Sequence, residues 1–252
     1  MKIGVVGLGL IGGSVFKDLK KLGHNVVAVS QSQFDENIYK NYDVLKDCEL
    51  VFVCSPMNKT PQILDNLENF LNPETVVTDV CSLKRFVCTK KRPYKFIPSH
   101  PMAGTEKQGF ENSFEGLFIG AKWIITPIYE DKDGIKILTS IIEALGAKPV
   151  ITTPEKHDEA VALISHMPML ISQAIFKTAQ NNELALEIAS SGFRDMTRLA
   201  MSNVEMANDM ITMNSDNIEK SILNLYKSIG ELTKEDYIAQ ISDIRAKRQT
   251  MF

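Results

Sequence analysis

Short apolar runs alternate with amphipathic stretches along the chain as far as Thr152. Strands are predicted for the runs KIGVVG, NVVAVS, LVFVCSP, TVVTDV, YKFIPS, WIITP and AKPVIT, and helices for Ile11 to Leu22 and Thr60 to Leu71. Continuous apolar strands separated by helices are typical of a parallel sheet with helices on both faces. The pattern therefore predicts an α/β fold with an N-terminal Rossmann-like, doubly wound sheet.

The pattern changes after Thr152, where strand-like runs give way to Ala, Leu, Ile and Met at helical spacing. Thr153 is suited to cap a helix, Pro154 to its first position and Glu155 to its first turn. We predict two domains, residues 1–152 with the sheet and residues 153–252 all-helical. The methionines of the second domain are interpreted as core packing.

Composition narrows the function classes. Hydrophobic residues make up 44% and charged residues 23%, as in soluble globular proteins. The net charge of -3 argues against general nucleic-acid binding. The four cysteines form no CxxC pair, which favours a reducing, cytoplasmic environment. The N-terminus is too glycine-rich for a signal peptide and no apolar run is long enough to predict a membrane span.

The segment VVGLGLIGGS carries a G-x-G-x-x-G pattern at Gly7, Gly9 and Gly12. It follows a predicted strand and opens a predicted helix, which is the context of a dinucleotide-binding loop. In such loops the first glycine makes a tight turn, the second lets a pyrophosphate approach, and the third lets helix and strand pack closely. We expect cofactor contacts from this loop and from the ends of later strands: Gly7, Leu8, Gly9, Leu10, Ile11, Gly12, Ser30, Gln31, Ser55 and Pro56.

The end of the second strand bears on which dinucleotide is bound. NAD-binding proteins usually carry an acidic residue there for the ribose hydroxyls, but this chain has Ser30, Gln31, Ser32 and Gln33. Without a carboxylate to repel a 2′-phosphate, NADP is acceptable, although no Arg attracts it. NADP is slightly favoured over NAD.

Three segments are expected to meet where the parallel strands end: CSP, DVCSLK and PSHPM. They bring Ser55, Ser82 and His100 to one rim. A histidine there can accept the proton of a substrate alcohol while hydride leaves its carbon, and Ser82 can orient the ring or share the proton.

The other histidines favour different roles. His24 lies in a helix-to-strand turn and is expected on the surface. His157 begins a helix, as a cap or an interdomain contact, and His166 is either a core or interface histidine or a substrate contact. Because His157 and His166 are not at metal-ligand spacing, no metal site is predicted.

Four motifs together resemble the prephenate/arogenate dehydrogenase family of tyrosine biosynthesis. They are GLGLIGGS, VVTDVCSLK, SHPMAGTEKQG and, from Ser190 to Ala200, SSGFRDMTRLA. The resemblance implies an NAD(P)-dependent oxidative decarboxylation, with His100 as the catalytic group for the substrate hydroxyl and Ser82 as its hydrogen-bond partner. It also implies a homodimer formed through the helical domain.

The last motif holds Arg194 and Arg198, which helical spacing would place on one face. Arginine suits a carboxylate through bidentate bonding, and the family pattern favours Arg198 as the substrate ligand. Arg194 is a second candidate, or an ion-pair partner of Asp195 or Glu106. By resemblance, Thr105 and Glu106 line or gate the site entrance. Some relatives have a further histidine where this chain has Met169, which leaves prephenate and arogenate both open.

Two other classes compete with this interpretation. A β-hydroxyacid dehydrogenase would use a lysine on a helix of the second domain, for which Lys177 is the comparable residue. A dinucleotide-sensing protein without catalysis would keep the glycines but would have no use for His100 and Arg198.

Overall fold

In a computed structural model, which describes residues 1–33, 36–105, 107–234 and 236–251, the N-terminal strands form a six-stranded parallel sheet. Its order along the sheet is β3-β2-β1-β4-β5-β6. This is the order of a dinucleotide-binding Rossmann fold, in which the chain reverses direction between β1 and β4. The strands are β1 (Lys2–Val6), β2 (Asn25–Val29), β3 (Ile38–Tyr39), β4 (Leu50–Val53), β5 (Val76–Asp79) and β6 (Lys95–Phe96).

Both faces of this sheet are buried, as the continuous apolar runs predict. In β4, Leu50 and Phe52 pack into one core cluster, whereas Val51 and Val53 pack into another on the opposite face. Side chains of a strand alternate between the two faces, so each face needs its own cover. That cover includes α1 (Leu10–Lys21), α2 (Thr60–Leu67) and α3 (Lys132–Ala144).

The predicted N-terminal Rossmann-like sheet is confirmed, but the last three strands do not extend it. β7 (Ser99–Pro101), β8 (Lys122–Ile125) and β9 (Lys148–Ile151) form a separate three-stranded sheet. β7 pairs antiparallel with β8, and β8 pairs parallel with β9. The run YKFIPS is split at Pro98, so that β6 ends the first sheet and β7 begins the second.

Residues beyond Thr153 are helical within the described part of the chain. The helices are α4 (Pro154–Val161), α5 (Met167–Ala179), α6 (Glu183–Glu187), α7 (Ser191–Thr197), α8 (Val204–Met213), α9 (Ser215–Leu232) and α10 (Tyr237–Gln249). Thr153 caps α4 by accepting a hydrogen bond from the amide of Lys156, as predicted. A π-helical turn, Ala162–His166, joins α4 directly to α5.

The continuous helical stretch Pro154–Ala179 is long and apolar enough, by length and composition alone, to cross a membrane. Its polar residues nevertheless have partners in the sheet-containing region, because the Asp158 carboxylate accepts hydrogen bonds from the amides of Lys84 and Arg85. Met169, later in the stretch, packs in an apolar cluster with Met57. These contacts make the stretch the connection between the two parts of the fold.

That apolar cluster joins the loops after β4 and β5 to the helices. Its buried members are Met57, Cys81, Leu83, Val161, Met169, Ala207 and Met210, with Met102 and Leu199 packed against them. The helical part is therefore fixed against the edge where the parallel strands end.

Candidate active site

The structure gives a separate reason for glycine at each of the three positions of the motif after β1. Gly7 has a positive φ of 91°, and a Cβ there would lie 2.6 Å from the carbonyl oxygen of Cys54. At Gly12 a Cβ would lie 2.0 Å from the carbonyl oxygen of Gly7, so the helix packs against the turn without space for a side chain. A Cβ on Gly9 would have no heavy atom within 4 Å.

The open space at Gly9 is at the N-terminus of α1, for which Gly9 is the N-cap residue. The first amides of a helix have no partner within it and attract a negative charge. The backbone amides of Leu10 and Ile11 are in this first turn. The side chain of Leu8 beside it is buried, and that of Ile11 is half-buried. The loop therefore fits a dinucleotide pyrophosphate, which needs a close backbone approach and helix amides.

The end of β2 forms a compact turn where the cofactor ribose is expected. The Ser30 hydroxyl accepts hydrogen bonds from the amides of Ser32 (3.4 Å) and Gln33 (3.2 Å). The Gln31 side chain donates to the carbonyl oxygen of Lys40, and the Lys40 ammonium donates to the carbonyl oxygen of Gln31. Lys40 was missed by the sequence reasoning because it reaches this turn only through the pairing of β2 with β3.

Ser55 and Pro56 follow β4, on the other side of the point where the strand order reverses. The Ser55 hydroxyl lies 2.8 Å from that of Thr60, and the amide of Thr60 donates to the carbonyl oxygen of Pro56 at 3.1 Å. The Cys81 thiol lies 3.2 Å from the same Thr60 oxygen. These bonds connect the loops after β4 and β5 beside the glycine turn.

His100 lies in β7 and is held through the residue before it. The Ser99 hydroxyl donates to the carbonyl oxygen of Asp79 at 2.9 Å and accepts from the indole nitrogen of Trp123 at the same distance. Trp123 is fully buried, so this anchor is within the core. The position of His100 is thereby set by β5 and β8 together.

Lys84 and Asp79 form an ion pair in which both side chains are completely buried. The Lys84 ammonium also donates to the carbonyl oxygen of Ser99, and Asp79 accepts from the amides of Cys81 (2.9 Å) and Ser99 (3.3 Å). A buried pair with its remaining hydrogen bonds satisfied holds its neighbours in one arrangement. It fixes the DVCSLK loop against the strand that carries His100.

The ring partner of His100 is a histidine from the helical region. Nδ1 of His100 lies 2.9 Å from Nε2 of His157, and Nδ1 of His157 lies 2.8 Å from Oδ1 of Asp158. His157 and Asp158 are 2% and 3% exposed, whereas His100 is only partly covered. The interdomain contact considered for His157 is thus formed with His100 itself.

Ser82 is partly buried in the loop that carries Lys84. Among the described residues, the ring hydrogen bond of His100 goes to His157 and none is formed with Ser82. The predicted bond between Ser82 and His100 is therefore not a feature of this structure.

Burial lowers the pKa of His100 well below its usual value, and the neighbouring His157, Lys84 and His166 lower it further. The imidazole is consequently neutral near pH 7 and has a nitrogen lone pair available for a proton. Burial also lowers the pKa of His166, to about 4, against an opposing effect of Asp158.

His166 is 1% exposed, and its Nδ1 accepts a hydrogen bond from the side-chain amide nitrogen of Asn214 at 3.2 Å. This environment matches the core interpretation of His166, and no contact in the described chain shows the substrate role. Met169 is buried in the interdomain cluster.

Arg194 and Arg198 are both exposed, but they are not on one continuous helix. Arg194 lies in the last turn of α7 and forms a solvent-exposed ion pair with Asp195 at 3.7 Å. Arg198 begins the 3₁₀ turn Arg198–Met201, and its neighbour Leu199 packs against the interdomain cluster. Through Leu199, the backbone beside Arg198 is held near the cluster to which the loops after β4, β5 and β7 contribute.

Thr105 is exposed, and its hydroxyl accepts from the amide of Lys107 at 3.2 Å in a local turn. Glu106 lies outside the described residues, so the predictions for it stay predictions. Within the described residues, no group of three or more His, Cys, Asp or Glu side chains has the arrangement of a metal site.

The strand order, the glycine turn and a histidine shared between a sheet domain and a helical one are typical of two-domain dinucleotide-dependent dehydrogenases. The nucleotide-binding domain of prephenate dehydrogenase matches residues 20–152, and its dimerization domain matches residues 153–243. Because these matches span most of the sequence, the chain belongs to the prephenate dehydrogenase family.

Individual proteins similar to this chain carry the names of the same family. A prephenate dehydrogenase of Bacillus subtilis is 30% identical over 238 residues, covering 85% of this chain and 64% of that protein. A Synechocystis arogenate dehydrogenase structure is 33% identical with a TM-score of 0.83, covering 99% of this chain and 97% of that one. The Aquifex aeolicus prephenate dehydrogenase in complex with hydroxyphenyl propionate and NAD+ is 26% identical with a TM-score of 0.88, covering 100% and 98%.

Family membership argues against the β-hydroxyacid dehydrogenase alternative. Lys177, its candidate lysine, is exposed and lines a surface cavity of about 310 Å³ with Gln173, Phe176, Gln180 and Ala200. The lysine expected for that class therefore lies at a surface cavity, whereas His100 lies in β7 of the sheet-containing region.

Proposed function

We propose that the protein is an NAD(P)-dependent prephenate dehydrogenase, which converts prephenate to 4-hydroxyphenylpyruvate in tyrosine biosynthesis. The observation that supports this most directly is a neutral, partly open His100 beside the end of a dinucleotide-binding sheet, in a chain of this family. Arogenate is the second candidate substrate, supported by the 33% identity to the Synechocystis arogenate dehydrogenase. We further propose a cytoplasmic location and a division into domains at residues 1–152 and 153–252.

The Gly7–Gly12 loop and the α1 N-terminus would hold the pyrophosphate, and the turn at Ser30 and Gln31 would hold the ribose. The nicotinamide, when bound, supplies the hydride acceptor. Ser55 and Pro56 lie at the switch point of the sheet, where that ring is expected.

His100 would accept a hydrogen bond from the hydroxyl group on the ring carbon at one pole of the substrate. It would take the hydroxyl proton as hydride leaves that ring carbon. The opposite carbon then loses its carboxylate as carbon dioxide, and the electron pair of the broken bond makes the ring aromatic. His100 returns the proton to the resulting phenolate oxygen, so that no net proton is consumed.

Arg198 is proposed to bind a substrate carboxylate. Its guanidinium is exposed and its backbone is held beside the active-site loops by Leu199. Arg194, Thr105, Glu106 and His166 are proposed as further substrate-side residues. Of these, Arg194 is engaged by Asp195 and His166 by Asn214, so Arg198 is the principal candidate.

The test is steady-state kinetics on prephenate and arogenate with NAD and NADP, followed by the absorbance of the reduced cofactor. We expect turnover of prephenate and a loss on the order of 10²–10⁴-fold in kcat for His100→Asn. Exclusive turnover of arogenate would move the assignment to the second candidate. Absence of turnover with both, or an unchanged rate in His100→Asn, would contradict the proposal.

Cofactor preference is proposed to favour NADP, because the ammonium of Lys40 is held at the turn that follows β2 and no carboxylate is found from Ser30 to Gln33. A cation at this turn attracts a 2′-phosphate. We expect Lys40→Gln to lower the NADP-to-NAD ratio of kcat/KM. If the wild type uses NAD more than tenfold better than NADP, this preference is wrong.

The protein is also proposed to be a homodimer through its helical domain. The matched family domain is a dimerization domain, and the helices expose large apolar side chains, among them Ile188, Met201, Val204, Tyr226 and Ile238. A dimer interface that covers these side chains would remove apolar surface from water. Light scattering is expected to give twice the 28.2 kDa chain mass, and a 28.2 kDa species at micromolar concentration would contradict it.

A further inference from the structure

We infer that His157 and Asp158 are positioning residues that fix the tautomer of His100, so that its Nε2 is the atom that accepts the substrate proton. The inference rests on the proposed function for its kinetic meaning. Two hydrogen bonds connect the strand that carries His100 to helix α4. One joins His100 Nδ1 to His157 Nε2 at 2.9 Å, and the other joins His157 Nδ1 to Asp158 Oδ1 at 2.8 Å.

The chain of bonds starts at Asp158, whose carboxylate has donors on both oxygens. Oδ1 accepts from the amide of Lys84 at 2.8 Å, and Oδ2 accepts from the amide of Arg85 at 3.0 Å. The carbonyl oxygen of Asp158 accepts from the side chain of Asn214 at 2.9 Å. Backbone amides can only donate, so the carboxylate stays an acceptor and is fixed in orientation.

An acceptor at Oδ1 determines the proton of His157. Its Nδ1 lies 2.8 Å from that oxygen and must carry the hydrogen. In a neutral ring Nε2 then has the lone pair. Since Nε2 of His157 faces Nδ1 of His100, the latter must donate, and the free lone pair of His100 is on Nε2.

The opposite arrangement would remove the base. If Nε2 of His157 carried a proton and donated to His100, then Nδ1 of His100 would be the acceptor and its Nε2 would be protonated. That requires either a neutral His157 with a bare nitrogen against the Asp158 carboxylate or a fully protonated His157. The titratable groups around the two rings are Asp158, Lys84 and His166.

This geometry predicts a pH effect that a simple domain contact would not produce. Protonation of His100 occupies Nε2 and stops proton acceptance, so the acid limb of kcat reports the protonation of a ring whose Nδ1 is bonded to His157. Replacing His157 should shift that limb as well as lower the rate.

The first test compares kcat, the KM for prephenate and the pH profile in four variants. His157→Leu removes the acceptor for Nδ1, whereas His157→Gln places an amide oxygen near the former Nε2. Asp158→Asn replaces one carboxylate oxygen by an NH₂ group, which must face either the amide of Arg85 or both the amide of Lys84 and Nδ1 of His157. Glu159→Gln, at an exposed position of the same helix, is the control.

We expect His157→Leu and Asp158→Asn to lose on the order of 10²–10⁴-fold in kcat, as when a carboxylate that orients a catalytic histidine is replaced. KM should change less than threefold, His157→Gln should recover at least tenfold over His157→Leu, and Glu159→Gln should equal the wild type. Equal losses in the Gln and Leu variants, or a loss confined to KM, would mean a structural contact and would overturn the inference.

A second measurement does not depend on turnover and so separates this inference from the proposed function. In wild-type protein labelled with nitrogen-15 on histidine, imidazole nitrogen shifts at pH 7.5 should show His100 protonated on Nδ1, and Asp158→Asn should move the proton to Nε2. An Nε2-protonated His100 in the wild type would overturn the inference even if the enzyme oxidises prephenate. The expected tautomer in a protein inactive on both substrates would leave it standing while the proposed function fails.

Discussion

Lys84 is completely buried although lysine is among the residues most rarely found inside proteins. Its ammonium is between the carboxylate of Asp79 and the carbonyl oxygen of Ser99. His100 is the next residue along the backbone, so the ion pair supports the strand that carries this ring. The DVCSLK motif alone does not indicate a buried role for this lysine.

Replacing Lys84 with methionine is expected to destabilise the fold strongly. The substitution keeps the length of the side chain but leaves the Asp79 charge buried without a partner, which costs about 3–5 kcal/mol of unfolding free energy. Urea denaturation at pH 7.5 measures the change.

The matched control is Lys21→Met, which removes an ion pair with Glu115 that is more than half exposed on the lysine side. Exposed pairs are screened by water and contribute little. Its unfolding free energy should equal that of the wild type within error. A similar cost for both variants would show that burial does not set the strength of the Lys84 pair.

At the scale of elements, the glycine turn allows folding and cofactor binding to be separated. A Cβ at position 12 would lie 2.0 Å from a backbone oxygen, and one at position 9 would touch nothing within 4 Å. Gly12→Ala is therefore expected to lower the melting temperature because helix α1 must move away from the turn. Gly9→Ala should keep the melting temperature but weaken NADP binding at least tenfold, because its methyl group fills the space for the pyrophosphate.

Fluorescence titration of the reduced cofactor and differential scanning calorimetry check this pair of variants. Unchanged cofactor affinity in a folded Gly9→Ala protein would mean that the pyrophosphate is bound elsewhere. An unchanged melting temperature in Gly12→Ala would contradict the packing argument.

The π-helical turn before α5 explains an arrangement that helical periodicity does not predict. His157 and His166 are nine residues apart, which is two and a half turns of a regular α-helix with about 3.6 residues per turn. They would then be on opposite faces, yet both are buried, and Asn214 bonds to His166 and to the backbone of Asp158. Pro168 lacks an amide and its ring crowds the carbonyl of Ile164, which favours a wider turn at this point.

The elements that could be predicted are those whose signal is local. The parallel strands are apolar on both faces and the glycine motif has one geometry, so both could be read from the sequence. The second sheet could not, because the run WIITP contains nothing that specifies an antiparallel partner over a parallel one. Its pairing with Ser99–Pro101 depends on the Trp123 contact with Ser99 across the core.

For the site, the sequence indicated His100 and its position at the strand ends, but the partner of its ring was assigned to Ser82. The structure gives Nδ1 of the ring a different partner, His157, for a physical reason. Ser82 is close to His100 along the topology of the sheet, whereas His157 is 57 residues away and reaches it only when α4 packs against the loop after β5. An adjacent His and Asp in EKHDEA was the available signal, since a carboxylate beside a histidine often orients its ring.

At the scale of the whole molecule, the candidate site is also the contact between the two parts of the fold. The loop after β5 donates its amides to Asp158, and the apolar cluster of Met57, Leu83 and Met169 is directly beneath. The contact between the two parts of the fold therefore includes His100 and His166, whose pKa values are both lowered by burial.

This burial makes stability depend on pH in a defined direction. Burial lowers the pKa of His166 to about 4 in the folded protein, whereas in the unfolded chain the ordinary value of 6.5 applies. Between these values the unfolded state binds more protons, so the stabilisation present above pH 6.5 is lost as the pH falls towards 4. The loss for this one group is about 1.4 kcal/mol per pH unit, and His100, whose pKa is also lowered, adds to it.

Urea unfolding at pH 7.5, 6.0 and 5.0 tests the prediction, because few carboxylates titrate above pH 5. The wild type should lose free energy of unfolding across this range. His166→Gln keeps a polar group for Asn214 but cannot be protonated. The slope of its unfolding free energy against pH between 6.0 and 5.0 should therefore be smaller, by the contribution of nearly one proton. Identical slopes in the two proteins would show that His166 is protonated in the folded state and that its burial does not exclude the charge.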